Sequence, residues 1–273
     1  MTNPQRHLRL ARALGVLTLA AFATAGDTAT RHWDCTGVVP PPAAHAEAGR
    51  LLILPGVGNT RFQFAGLAEA AARQLPSFDV EVRPWGTPFL TLHNLRAHAR
   101  NAATAKSIAA ELAAWRRAHP HDKLYLVGYS GGGGIATLVT ASLPADVAVD
   151  RLILIAPAIS PDYPLAERVL PHVRELVVSF ASGRDLQVGW GTHELGTIDR
   201  VYTQSAGAVG FGTTDDRLLE YFWSDADLGL GHQGNHWSYL VRRWQDAKLL
   251  PALDPSVTAV ELRAQWAAAC EET

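Results

Sequence analysis

The residues best suited to chemistry in this chain stand at Gly128-Tyr129-Ser130-Gly131-Gly132, a G-x-S-x-G pentapeptide. Leu124 to Val127, aliphatic and partly β-branched, precedes it as a buried strand, and Ile135 to Leu143 follows as an Ala-, Leu- and Val-rich helix. A serine at such a corner is held in a strained turn, its hydroxyl pointing out over the end of a sheet. Gly128 and Gly132 suit that turn because a Cβ at either place would collide with the neighbouring strand or helix. Gly131, Gly133 and Gly134 relax the same crowding. A serine hydroxyl is a weak nucleophile until a histidine takes its proton, and that imidazole needs a carboxylate to fix its tautomer. Two histidines, His232 and His236, lie in the run GLGHQGNHWSYL. They also form an H-x₃-H pair, but the glycine between them opposes the helix that would put both on one face. No HExxH glutamate accompanies them, so metal catalysis is not expected, and hydrolysis by an activated serine implies no organic cofactor.

Strands and helices alternate around this corner. Strands are expected over Arg50 to Leu54, Phe78 to Arg83, Lys123 to Val127, Val149 to Ile155, Arg174 to Phe180 and Ile198 to Thr203. Helices are expected over Phe62 to Leu75, Leu92 to His119, Trp237 to Leu249 and Val257 to Ala269. Such alternation builds a mostly parallel sheet covered by helices on both faces. There is no internal repeat and no low-complexity domain.

This order of elements, with the G-x-S-x-G corner, resembles the α/β-hydrolase superfamily of serine hydrolases, esterase- or lipase-like, over residues 50–250. The resemblance implies a nucleophile after the fifth family strand, an acid after the seventh and a histidine after the eighth. With Arg50 to Leu54 taken as the third family strand, Ser130 falls after the fifth. The first two family strands have no counterpart, which implies a minimal sheet. Asp185, in a Ser-Gly turn just beyond the strand from Arg174, then takes the acid's place. Asp199 is the alternative, but it begins an expected strand and so points to the wrong end of the sheet. His236, immediately before a helix, takes the place of the base, with His232 as the alternative. The N–H of Gly131 and, by position in Leu54-Pro-Gly-Val57-Gly-Asn59, that of Val57 would stabilise an oxyanion. That loop lacks the HGGG signature of some esterases.

Two spacings bear on substrate. Only about 16 residues separate Pro157 from the strand at Arg174, where many lipases insert a lid domain, so an open site without a lid is expected. Some 30 residues lie between Thr203 and His236. Their aromatics Phe211, Tyr221, Phe222 and Trp223 either line an apolar substrate pocket or form a small core under a long loop, and Tyr129 is expected to contact substrate. The expected reaction is hydrolysis of a small-molecule carboxylic ester through a Ser130 acyl-enzyme. Thioesterase, peptidase and acyltransferase activities use the same machinery, and a non-catalytic binding module is the reading from another class.

The 273 residues are 48% hydrophobic and 18% charged, which suits a soluble domain with a sizeable core. A formal charge of −2 gives no basic surface for nucleic acid. Arg6, Arg9 and Arg12, the apolar run Leu14 to Phe22 and Ala23-Thr24-Ala25 have the form of a signal peptide cleaved near Ala25. Its removal lowers the basic count from 24 to 21 against 26 acidic residues, a formal charge of −5. The expected organisation is therefore a signal peptide over 1–25, an extended linker over 26–49 and the catalytic domain over 50–273. The mature protein would be secreted or periplasmic, with no stable membrane insertion. Cys35 and Cys270 are the two cysteines. In an exported protein an even count fits a disulfide, and two separate thiols is the other reading.

Overall fold

Four sequence runs are apolar on both faces, and these become the middle of the sheet. In the computed structural model, which describes residues 47–268, they are β1 (Gly49–Leu54), β3 (Lys123–Tyr129), β4 (Val149–Ile155) and β5 (Val173–Ala181). The more polar β2 (Phe78–Val82) and β6 (Leu218–Phe222) lie at the two edges. The sheet order is β2-β1-β3-β4-β5-β6, and every neighbouring pair is parallel. Strands buried on both faces need such a parallel, helix-covered arrangement. Its consequence for function is geometric: all six strands end at the same edge, so the loops that leave them converge there.

The covering helices include α1 (Ala65–Gln74), α2 (Thr91–Arg96), α3 (His98–Ala118), α4 (Gly131–Thr140) and, near the C-terminus, α5 (Ala259–Ala268). The long helix expected from Leu92 is divided at Ala97, whose ψ of 57° leaves the helical region. The helix after Ser130 starts at Gly131 rather than Ile135, so the glycines form its first turn. Their lack of side chains lets that turn press onto the sheet: a Cβ on Gly133 would meet Pro157 Cα at 2.9 Å.

Two expected elements are corrected. Ile198 to Thr203 is not a strand. Thr197 N–H donates to the Val201 carbonyl and Val201 N–H to Thr197 Oγ1, closing a turn with Val201 and Tyr202 exposed. The sixth strand is Leu218–Phe222, inside the stretch expected to be a loop. The helix over Trp237 to Leu249 is broken into a 3₁₀ turn His236–Leu240, a short α turn Arg242–Trp244 and a π turn Gln245–Leu249. Val241, extended at ψ 123°, separates the first two. Between β4 and β5 there are only short helical turns at Leu165–Arg168 and Leu170–His172, so no lid domain is inserted. No helix among the described residues is long and apolar enough to cross a membrane. The expected signal segment, most of the linker, Cys35 and Cys270 lie outside the described residues.

Candidate active site

Ser130 is the residue that joins β3 to α4, at φ 56° and ψ −123°. A non-glycine residue held there costs about 1–3 kcal/mol, which the surrounding packing must offset. The turn is tied into the sheet on both sides: Ser130 N–H donates to the Ile155 carbonyl (2.8 Å), and the Ser130 carbonyl accepts from Ala158 N–H (2.9 Å). Gly128 and Gly132 are required by close approach. A Cβ on the first would overlap the Gly132 carbonyl, and one on the second would overlap the carbonyls of Leu54 and Pro55.

The expected acid and base are brought together in the loops beyond β5 and β6. Asp185, 1% exposed, accepts from His236 Nδ1 at 2.6 Å through Oδ2. Its Oδ1 accepts from the N–H groups of Gln187 (3.0 Å) and Val188 (3.4 Å). With Nδ1 donating to a carboxylate, Nε2 is the nitrogen left to accept a proton. The His236 ring lies 4.8 Å, centroid to centroid, from Tyr129, the residue before Ser130. Tyr129 also donates its hydroxyl to the His236 carbonyl at 2.7 Å. Burial pushes the Tyr129 phenol well above its ordinary range, so it stays a neutral donor. Tyr129 is thus a support beneath the site, which corrects its expected contact with substrate.

The short segment that carries His236 is fixed at each residue. Asn235 Oδ1 caps the 3₁₀ turn by accepting from the N–H groups of Trp237 and Ser238. Ser182 Oγ donates to the Gly234 carbonyl at 2.7 Å and so ties the acid's loop to the histidine's. His232, the alternative base, is fully buried against Tyr239 and Trp244. Its Nδ1 accepts from Gly234 N–H at 3.0 Å, and burial pushes its pKa down to about 4. It packs and bends this loop as a neutral ring. Asp199, the alternative acid, accepts from Ser160 N–H and Thr197 Oγ1 and holds the loops after β4 and β5 together.

The loop expected to supply an oxyanion donor lies beside Gly131. The place a Cβ would take on Gly131 lies 3.4 Å from Val57 N, so the two backbones are adjacent. The aromatics expected in a pocket loop are distributed otherwise. Phe211 and Tyr221 are buried, Tyr221 against Phe180 and Trp266 with its hydroxyl on Asp227. Phe222 ends β6 half-exposed above Gly210. Trp223 donates to the His232 carbonyl and stacks on Arg184, which makes it a brace for the histidine loop. Sequence reasoning missed Asn59, Trp85 and Asn94, which hold the loop after β1. A polar residue in a helical run carries no sign that it reaches back to a loop 37 positions earlier.

Among the described residues no cluster of three or more His, Cys, Asp or Glu side chains is arranged to hold a metal ion. A family model described as serine aminopeptidase, S33, matches residues 94–206, a span that includes Ser130 and Asp185 but not His236. Comparison with curated proteins gives no match. Among solved structures the chain is similar to a dienelactone hydrolase from Anabaena variabilis ATCC 29413, at 20% identity over 81% of this chain and 86% of that one, TM-score 0.42. It is also similar to RedJ, a thioesterase from the prodiginine biosynthetic pathway in Streptomyces coelicolor, at 16% identity over 87% and 99%, TM-score 0.43. The type II thioesterase BorB from the borrelidin biosynthetic cluster gives 17% identity over 81% and 94%, TM-score 0.43. Likenesses of this size bear on neither substrate nor reaction. The sheet order itself, with the strained Ser130 turn after β3, a buried carboxylate after β5 and its histidine after β6, gives this chain the α/β-hydrolase fold.

Proposed function

We propose that this chain is a serine hydrolase that cleaves carboxylic esters, with Ser130 as nucleophile, His236 as base and Asp185 as acid. The observation that carries the reading is the buried 2.6 Å hydrogen bond from His236 to Asp185 beside the strained Ser130 turn. In the first step Ser130 Oγ bonds to the ester carbonyl carbon while its proton passes to His236 Nε2. The carbonyl oxygen, now an oxyanion, is received by the N–H groups of Val57 and Gly131. The carbon–oxygen bond to the alcohol then breaks, and His236 returns the proton to the leaving oxygen. Water, deprotonated by the same histidine, attacks the acyl-enzyme and releases the acid and free Ser130.

An apolar group on one side of the ester suits the surroundings. Leu186, next to Asp185, is 61% exposed, and Phe89, whose N–H donates to the Gly58 carbonyl in the oxyanion loop, is 74% exposed. With no lid domain between β4 and β5, soluble esters should turn over without a rate jump on emulsified substrate. The test is a series of p-nitrophenyl esters of increasing acyl length, with an aminoacyl p-nitroanilide beside it because the matched family model is named for an aminopeptidase. Ester turnover that vanishes in Ser130→Ala supports the reading. Turnover of the anilide alone would make the protein a peptidase.

The N-terminal segment is part of the same proposal. Residues 1–25 would direct export and be removed, and Cys35 would pair with Cys270 in an oxidising compartment. Intact mass of the exported protein should begin at Gly26. Two alkylatable thiols in the unreduced, denatured protein would remove the disulfide from this account.

A further inference from the structure

We infer that Asn94 is a positioning residue for the oxyanion pocket, acting through the backbone of Val57. The inference rests on Ser130 being the nucleophile and concerns how its oxyanion donors are aimed. An N–H points where its peptide plane points. Two planes meet at the Val57 Cα, and each is tied by one hydrogen bond. The Gly56 carbonyl, in the same peptide as the Val57 N–H, accepts from Asn59 N–H at 2.8 Å. The Val57 carbonyl, in the next peptide, accepts from Asn94 Nδ2 at 2.8 Å. With both planes held, the Val57 N–H has one direction, and the bond to the Gly56 carbonyl polarises that same peptide unit.

Asn94 is itself held in one orientation. It is fully buried, and every hydrogen-bonding position of its amide is used. Nδ2 donates also to the Thr87 carbonyl (2.6 Å), while Oδ1 accepts from Thr87 N–H (2.9 Å) and from Arg100 (2.9 Å). The Arg100 guanidinium turns its donors on the side-chain oxygens of Asn94 and Asn101, with no carboxylate in ion-pair range among the described residues. The space for this arrangement depends on Gly86, where a Cβ would meet Asn94 Oδ1 at 2.5 Å. Trp85 completes the clamp: its Nε1 donates to the Pro55 carbonyl (2.6 Å) and its N–H to Asn59 Oδ1 (2.7 Å). Its ring edge lies 3.3 Å from the Cβ position of Gly131, the other donor.

Donors aimed at an oxyanion act on the transition state and little on bound substrate, and a small misplacement is expensive in rate. Asn94→Asp keeps an acceptor for Thr87 and Arg100 but removes both donated hydrogen bonds. The measurement is kcat per Ser130 titrated with a fluorophosphonate, alongside KM and the inhibition constant of a boronic acid that forms a tetrahedral adduct. The expected result is a kcat lower by about 10–100-fold, a KM within about twofold of wild type and a boronate affinity weakened in parallel with kcat. A folded Asn94→Asp protein with wild-type kcat per titrated site and wild-type boronate affinity would overturn the inference, whatever its thermal stability. Should Asn94→Asp not fold, Arg100→Met decides, because it frees Asn94 Oδ1 from one partner. A smaller loss of the same pattern supports the inference, and an unchanged kcat per site overturns it. Failure of the wild-type protein to label at Ser130 removes the hydrolase reading and this inference together, whereas labelling with no effect of Asn94 removes this inference alone.

Discussion

The two ends of the parallel sheet carry polar groups of opposite design. At the end where strands begin, the charges close on one another. Arg116 pairs with Asp150, both buried, and Asp150 also accepts from Leu124 N–H at 2.7 Å. Arg151 and Lys123 share Glu175, and Arg151 reaches the carbonyls of Ala252 and Val257 as well. At the end where strands finish, strain replaces pairing. Among the described residues the non-glycine residues at positive φ, Asn59, Phe89, Ser130, Ala156 and Arg200, lie in the connections that leave β1, β2, β3, β4 and β5 in turn. That end also carries the carboxylate–histidine pair and exposed apolar side chains such as Phe89 and Leu186. The contrast teaches where the molecule's stability is held and where it is given up: paired charges fasten the end where strands begin, and unrelaxed backbone is kept at the edge that carries the proposed site.

Substitutions at the two ends should therefore separate activity from stability. Ser130→Ala, His236→Ala and Asp185→Asn should each lower ester turnover by about 10⁴-fold or more, while Ser130→Ala keeps unfolding stability within about 1 kcal/mol. Steady-state rates and urea unfolding check this. At the end where strands begin, Asp150→Asn leaves the buried Arg116 without its carboxylate. It should cost about 3–5 kcal/mol of stability yet leave kcat per titrated site unchanged. A loss of kcat per site there would break the comparison.

His232 lies between these extremes, a titratable group near the active end that is used for packing. Its folded-state pKa of about 4 lies below the ordinary 6.5, so between those values the unfolded chain binds the extra proton. Stability should therefore fall as pH drops from 6.5 towards 4, by roughly 3 kcal/mol from this group. Urea unfolding of wild type and His232→Gln across that window checks the sign: the difference between them should shrink as pH falls. The smallest effect is expected at the exposed Arg117–Asp146 pair, where Asp146→Asn should change stability by less than about 0.5 kcal/mol.

What the sequence disclosed follows the same division. The elbow was legible because glycine spacing reports backbone crowding directly, and Gly128 and Gly132 do meet neighbouring carbonyls. The pairing of Asp185 with His236 was legible because the first closely follows an expected strand and the second immediately precedes an expected helix. The sixth strand was not, because Ile198 to Thr203 has the more β-branched composition, whereas Leu218–Phe222 contains a half-buried glutamate whose carboxylate caps Phe211 N–H. The long helix after His236 was misread for a related reason. Its apolar spacing is helical, but the extended Val241 separates the 3₁₀ turn that Asn235 caps from the turns that follow. Asn94 and Trp85 gave no signal, since their partners are backbone groups of a distant loop.

The central claim is that the Asp185–His236 pair activates Ser130, and covalent labelling tests it most directly. A fluorophosphonate, followed by peptide mass mapping, should modify the wild-type protein at Ser130 alone and in one-to-one ratio. In folded His236→Ala the same label should form slower by orders of magnitude. Labelling at another residue, or equal rates with and without His236, would contradict the account.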